Sequence, residues 1–178
     1  MAAVIGIAGW HPSSHATGFA GVYAPANWTV TNNGGDGAVN TIGAPNEIVL
    51  TGNDAGGGGV DTDYITVSAG AGKVRFDWSY TTNDGPGYDG FGYLLGSTFT
   101  QLASAGGQSG TTIFDVALGD TFGFRVFSTD GCCGPGVATI SNFSAPTPVP
   151  GPLPVLGVLA AFGFSRRLRA RIHAARTA

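Results

Sequence analysis

Six clusters of turn-forming residues, NNGGDG, GNDAGGGG, AGAG, NDGPG, SAGGQSG and GCCGPG, punctuate the chain between residues 32 and 136, and no segment between them holds ten residues with helical periodicity. What lies between alternates instead. In KVRFDWSY (73–80), Val74, Phe76, Trp78 and Tyr80 fall on one face and Lys73, Arg75, Asp77 and Ser79 on the other, the period of a strand with one buried face. TFGFRVF (121–127) repeats the pattern with Phe122, Phe124 and Val126 inward and Arg125 outward, and Gly123 marks a bulge or a close backbone approach. The same reading places strands at 28–31, 47–51, 64–67, 91–95, 98–102, 111–116 and 138–143. Short strands between such turns predict an all-β chain, an antiparallel two-sheet sandwich of jelly-roll-like type over residues 17–145, with helix confined to the termini.

Composition removes the main rival. Glycine at 31 residues would also suit low-complexity disorder, but eleven Phe, five Tyr and three Trp are costly to leave in water, so the middle of the chain folds around them. One domain is the default for 178 residues. All eleven acidic residues lie between Asp36 and Asp130, opposed there only by Lys73, Arg75 and Arg125, a net charge of −8 that repels phosphate backbones and excludes nucleic acid as a partner.

The two ends differ from the middle. Residues 1–16 read as a signal peptide, with an apolar stretch at 2–10 and a small-x-small site at Ser14-His15-Ala16. It is atypical, lacking a basic start: either the true start lies upstream of Met1, or the apolar stretch at 2–10 is instead a short hydrophobic N-terminal strand belonging to the fold. Residues 146–154 belong to the proline-rich run SAPTPVPGPLP, which favours extended polyproline conformation and acts as a stiff spacer. Beyond it, residues 155–178 hold a short apolar helix, about 15 Å over residues 155–164 and half a bilayer core, then Arg166, Arg167, Arg169 and Arg171, which hold that flank on the cytoplasmic side of a membrane. Leu156, Leu159 and Phe162 would equally form a stripe docking the helix on its own domain.

The order Pro150-Gly151-Pro152, apolar segment, arginine cluster resembles the PEP-CTERM sorting signal of Gram-negative bacteria, with glycine where that family usually carries glutamate. The resemblance spans about residues 149–172. It implies transient anchoring in the inner membrane, processing by an exosortase-like enzyme, and delivery to the cell surface or extracellular matrix. The runs DWSYTTNDGPGYDGFGYLL, GDTFGFRVFSTD and ATISNF also resemble the single sandwich domain often joined to such tails, which implies an extracellular sandwich without an assigned reaction.

Chemistry is sparse. His11, His15 and His173 all lie outside the expected mature domain, which removes histidine-based triads, bases and zinc sites from it. A hydrolase would have to use aspartates, with Asp77, Asp84 and Asp89 the first to test. Aspartates in glycine loops suit calcium better, as a structural cofactor. One cluster is Asn53, Asp54, Asp61 and Asp63; the other is Asn83, Asp84 and Asp89, joined by Asp130. Against this, Asn-Asp-Gly sequences make turns without any metal. Among Trp78, Tyr80, Tyr88, Phe91 and Tyr93, the alternation makes Trp78 and Tyr80 core, and Tyr88, in a Gly-Pro-Gly loop, is the one expected in solvent and able to touch a glycan. Cys132 and Cys133 are adjacent, closer than an ordinary crosslink requires; a vicinal disulfide, two free thiols and pairing between molecules all stay open, and a soft-metal site lacks further ligands. The expectation is an exported, non-enzymatic surface or matrix protein. The alternatives are a carbohydrate-binding module for exopolysaccharide and, less favoured, a glycoside hydrolase using an Asp pair.

Overall fold

The computed structural model describes residues 14–148. The apolar N-terminal stretch, the Pro-Gly-Pro motif, the apolar helix and the arginine cluster expected from the sequence lie outside the described residues.

Eleven strands form two antiparallel sheets. They are β1 (His15–Thr17), β2 (Thr29–Thr31), β3 (Ala38–Asn40), β4 (Glu47–Thr51), β5 (Thr62–Val67), β6 (Gly72–Thr81), β7 (Asp89–Leu95), β8 (Thr98–Ala103), β9 (Gln108–Val116), β10 (Thr121–Ser128) and β11 (Val137–Pro146). The six-stranded sheet runs β3-β4-β11-β6-β9, with β1 added to β11, and the five-stranded sheet runs β2-β5-β10-β7-β8. Only the β3–β4 and β7–β8 connections stay within a sheet. Every other link crosses the sandwich, as jelly-roll connectivity requires. The only helices among the described residues are two single 3-10 turns, Gly21–Tyr23 and Pro25–Asn27.

The expected alternation becomes the core. Val74, Phe76 and Tyr80 of β6 face Phe122, Phe124 and Val126 of β10 across the sandwich, with Trp78 half-buried at the rim. Phe19, Tyr23 and Trp28 arrive from the irregular segment before β2 and close one end of the core. Their polar tips are satisfied: the Tyr23 hydroxyl donates to Pro146 O at 2.6 Å and accepts from Ala69 N at 3.0 Å, and Trp28 Nε1 donates to Tyr23 O at 3.0 Å. Gly123 is a close approach, as its place in β10 required: a Cβ there would collide with the Tyr64 carbonyl and lie 2.8 Å from Ile65 Cα of β5.

The sheet begins earlier than the sequence indicated. His15, Ala16 and Thr17 pair with Pro146, Ala145 and Ser144, so two residues of the small-x-small site and the first proline of the spacer lie in paired strands.

Candidate functional site

The outer face of the five-stranded sheet is built on glycine. In β7 the inward side chains are Asp89, Phe91 and Tyr93, so Gly90 and Gly92 face outward and leave the backbone bare. Two rings from neighbouring strands lie over these gaps. A Cβ on Gly92 would come 2.7 Å from the Phe99 ring of β8, and one on Gly90 would strike the Phe127 ring of β10. Phe99 and Phe127 meet edge to face at 5.9 Å, and neither belongs to the core cluster. The guanidinium of Arg125, which sits opposite Gly92 in the sheet register, lies 5.7 Å from the Phe99 ring centroid, within cation–π range.

Arg125 is held rigidly. Its Nε and Nη2 donate to Asp63 Oδ1 and Oδ2 at 2.6 and 2.7 Å, and its Nη1 lies 2.7 Å from Asp61 Oδ2. Asp63 stands directly opposite Arg125 in the β5–β10 pairing, so strand register makes the fork. The Asp63 hydrogen bonds raise the Arg125 pKa above its ordinary value. Burial is the larger influence on Asp61 and lifts its carboxyl above the usual aspartate range despite the adjacent guanidinium. Three of five guanidinium N–H groups are used, leaving two for a ligand. Two rings set edge to face over the β7 glycines, a fixed cation and the exposed Gln101 opposite Gly92 form a part-apolar surface with convergent polar groups.

This arrangement corrects the first expected calcium cluster. Arg125 pairs with both Asp61 and Asp63, one positive charge against two carboxylates, so a guanidinium already engages the oxygens a metal ion would need. Asp54 serves the turns instead: its Oδ1 accepts from Gly134 N at 3.1 Å, while its own N–H donates to Asp36 Oδ1 at 2.7 Å. The second cluster is brought together at the opening between β6 and β7. Thr82 Oγ1 donates to Asp89 Oδ2 and accepts from Asp84 N, both at 3.0 Å. Asp89 is 1% exposed, and burial pushes its carboxyl above the ordinary range, with the Ser128 and Thr82 hydroxyls pulling the other way and the charges of Asp84 and Asp130 adding to the rise. Asp130 Oδ1 accepts from Cys132 N at 3.3 Å within its own loop. Among the described residues no three His, Cys, Asp or Glu side chains converge on one point.

Tyr88 is exposed, at 51%, and its carbonyl accepts from Thr129 N, two residues beyond Phe127. Tyr80 and Phe91 are buried, and Trp78 and Tyr93 pack against the core. Cys132 and Cys133 are joined as a vicinal disulfide in the loop between β10 and β11. The three aspartates of the hydrolase alternative do not form a working pair. Asp89 is inaccessible, and Asp77 lies on the outer face of the other sheet, where hydrogen bonds from Thr111 at 2.5 Å and Asn142 at 2.8 Å hold its carboxyl below the usual range. Phe99, Arg125 and Phe127 were not singled out as site residues from the sequence. The signal that could have found them is glycine at both outward positions of GFG in β7, next to strands with outward phenylalanines.

No family model and no curated protein matches the chain. Among solved structures it is similar to a mutant of a family 29 carbohydrate-binding module, 16% identical over 76% of this chain and 93% of that one, with a TM-score of 0.43. The family 11 carbohydrate-binding module of a cellulosomal cellulase of Clostridium thermocellum is 9% identical over 77% of this chain and 95% of that one, with a TM-score of 0.47. The K2 cleaved adhesin domain of Lys-gingipain is 15% identical over 74% and 97%, with a TM-score of 0.43. Likenesses this loose carry no functional assignment.

Proposed function

We propose that this chain is an exported, non-catalytic glycan-binding sandwich whose binding surface is the outer face of the five-stranded sheet. The observation that carries the reading is the Arg125 guanidinium, locked by Asp61 and Asp63 beside the Phe99 ring, with Phe127 edge-on to the same ring. A pyranose offers an apolar C–H face and a rim of hydroxyls. Aromatic rings take the first, and a preorganised arginine with spare N–H groups takes the second at little entropic cost. The surplus of acidic over basic residues in the sandwich favours neutral over acidic polysaccharide, so the natural partner is a neutral exopolysaccharide at or near the cell surface.

The test is a glycan array followed by titration of the full chain with the best ligand. Phe99→Ala is expected to weaken binding at least about tenfold, roughly 1.4 kcal/mol, while far-UV circular dichroism stays unchanged. Tyr88→Ala extends the test to the adjoining loop. Absence of saturable binding across the array, or Phe99→Ala and Phe127→Ala variants that bind like the parent, would remove the glycan reading.

Delivery to the cell surface or matrix belongs to the same proposal and is supported by the order of Pro150-Gly151-Pro152, apolar segment and arginine cluster. An exosortase-like enzyme and transient contact with the inner membrane follow from it. Deleting residues 149–178 is expected to move the protein from the cell-surface fraction into the medium, read by fractionation and immunoblot. Unchanged surface retention would exclude the tail as the delivery signal.

A further inference from the structure

Four buried side-chain polar atoms among the described residues lack a hydrogen-bond partner: Asn53 Nδ2, Tyr80 Oη, Asp84 Oδ2 and Asp89 Oδ1. All four lie at one end of the sandwich, where the loops after β4, β6 and β10 meet. Gly56 N donates to Gly131 O, Thr129 N to Tyr88 O and Gly134 N to Asp54 Oδ1, which ties the three loops together. Buried polar groups are nearly always partnered, and an orphaned carboxylate oxygen is among the costliest exceptions. The two aspartates that carry them meet at one hydroxyl, since Thr82 Oγ1 donates to the other Asp89 oxygen, Oδ2, and accepts from the Asp84 backbone N–H. Tyr80, 1% exposed and outside the acidic set, brings a third unpartnered oxygen from the end of β6.

No protein cation is at hand to compensate them. Among the described residues the lysine and arginine side chains are all engaged elsewhere: Lys73 with Asp115, Arg75 with Asp77, and Arg125 with Asp61 and Asp63. The same loop end also carries Asp36, Asp54 and Asp130, so the local field is uniformly negative. Charge and unpaired oxygens together describe a cation site.

We propose that this loop end binds one hard divalent cation, calcium by its chemistry, with Asp89 Oδ1 and Asp84 Oδ2 as the charged ligands. Two carboxylates alone do not fill a shell of six to eight oxygens, so carbonyls of the same loops and solvent complete it. A site with so few charges belongs to the weak class of extracellular modules, with a Kd of about 0.1–1 mM. The ion fastens the β6–β7 loop to the start of β7. The proposal does not depend on the glycan reading, because it is tested without any sugar.

The experiment is calorimetric titration of the metal-stripped full chain with calcium chloride, paired with thermal unfolding in calcium and in chelator. Saturable binding of one ion is expected, and at ten times Kd the ratio of folded to unfolded protein rises about tenfold, a gain of about 5 °C in Tm. Asp84→Asn and Asp89→Asn are each expected to weaken calcium at least tenfold, whereas Glu47→Gln, at the start of β4 and away from these loops, leaves it unchanged. Asp84 sits in a loop, so its variant keeps the test decisive if Asp89→Asn fails to fold. No heat and no Tm change up to about 10 mM, ten times the weak end of that class, would overturn the site. So would parental affinity in Asp84→Asn, or magnesium binding as tightly as calcium.

Discussion

Trp28→Ala is expected to cost about 3–5 kcal/mol, the range for deleting a large aromatic side chain from a core. The indole is 8% exposed and lies between two parallel rings, Tyr64 with centroids 4.7 Å away and Phe124 at 5.6 Å, while Phe19, Phe122 and Phe143 meet it edge-on. Its Nε1–H also satisfies the Tyr23 carbonyl. Substitution therefore removes stacking on both faces, opens a cavity and strands a buried acceptor, and these losses act in one direction. The position also anchors its neighbourhood. Trp28 immediately precedes β2, an edge strand of three residues whose side chains are all exposed, so the indole is the apolar anchor next to that strand, alongside Phe19 and Tyr23 earlier in the same segment. Against a typical domain stability of about 5–15 kcal/mol, the loss consumes about a fifth of the total or more. Urea unfolding followed by near-ultraviolet circular dichroism measures it, with Val30→Ala, 47% exposed on β2, as a control expected within about 0.5 kcal/mol of the parent. A loss below about 1 kcal/mol would mean that the aromatic cluster does not hold the sandwich together.

Legibility tracked the reach of each interaction along the chain. β6 and β10 were readable because alternation is a local property: KVRFDWSY and TFGFRVF each carry three or four inward apolar residues in register. β1 and β3, three residues each, carry no such signal. They exist because β11 and β4 offer them edges, and pairing of His15 with Pro146 joins residues from opposite ends of the fold. The candidate surface was illegible for the same reason. Nothing in the sequence sets Asp63 opposite Arg125, or places β7 between β10 and β8 so that the rings of Phe99 and Phe127 cover its glycines. Acidic residues in glycine loops looked alike in both candidate calcium clusters. Only the fold separates them, pairing Asp61 and Asp63 with a distant arginine and leaving Asp84 and Asp89 with orphaned oxygens. The expectation that Tyr88 stands in solvent rested on local turn chemistry, and the fold agrees.

Arg125→Met should be the second most damaging change, at about 2 kcal/mol, and its cost should depend on pH. Removing one partner of a fully buried ion pair costs about 3–5 kcal/mol, and the smaller figure reflects the partial exposure of this triad, with the arginine side chain at 25% and Asp61 at 32%. Methionine keeps most of the packing against Phe99, so the loss reports charge. Without the guanidinium, the Asp61 carboxyl, already above its ordinary value through burial, loses the main influence holding it down, with the neighbouring Asp63 charge still pushing it up. Its folded-state pKa then stands further above the unfolded value, so the native state binds more protons than the unfolded one across that window. Stability of the variant therefore falls as pH rises through the window, and the deficit against the parent is largest near pH 7 and smaller near pH 4. Arg125→Lys retains one positive charge but not the fork, and is expected to fall between the two. Adding Asp61→Asn and Asp63→Asn to Arg125→Met should recover more than half of the loss, because the repelling pair is then gone. Urea midpoints at several pH values test the idea. A deficit that is flat from pH 4 to pH 7 would mean that packing on Phe99, not the two aspartates, is what Arg125 supplies, and the preorganised cation at the centre of the candidate surface would lose its physical basis.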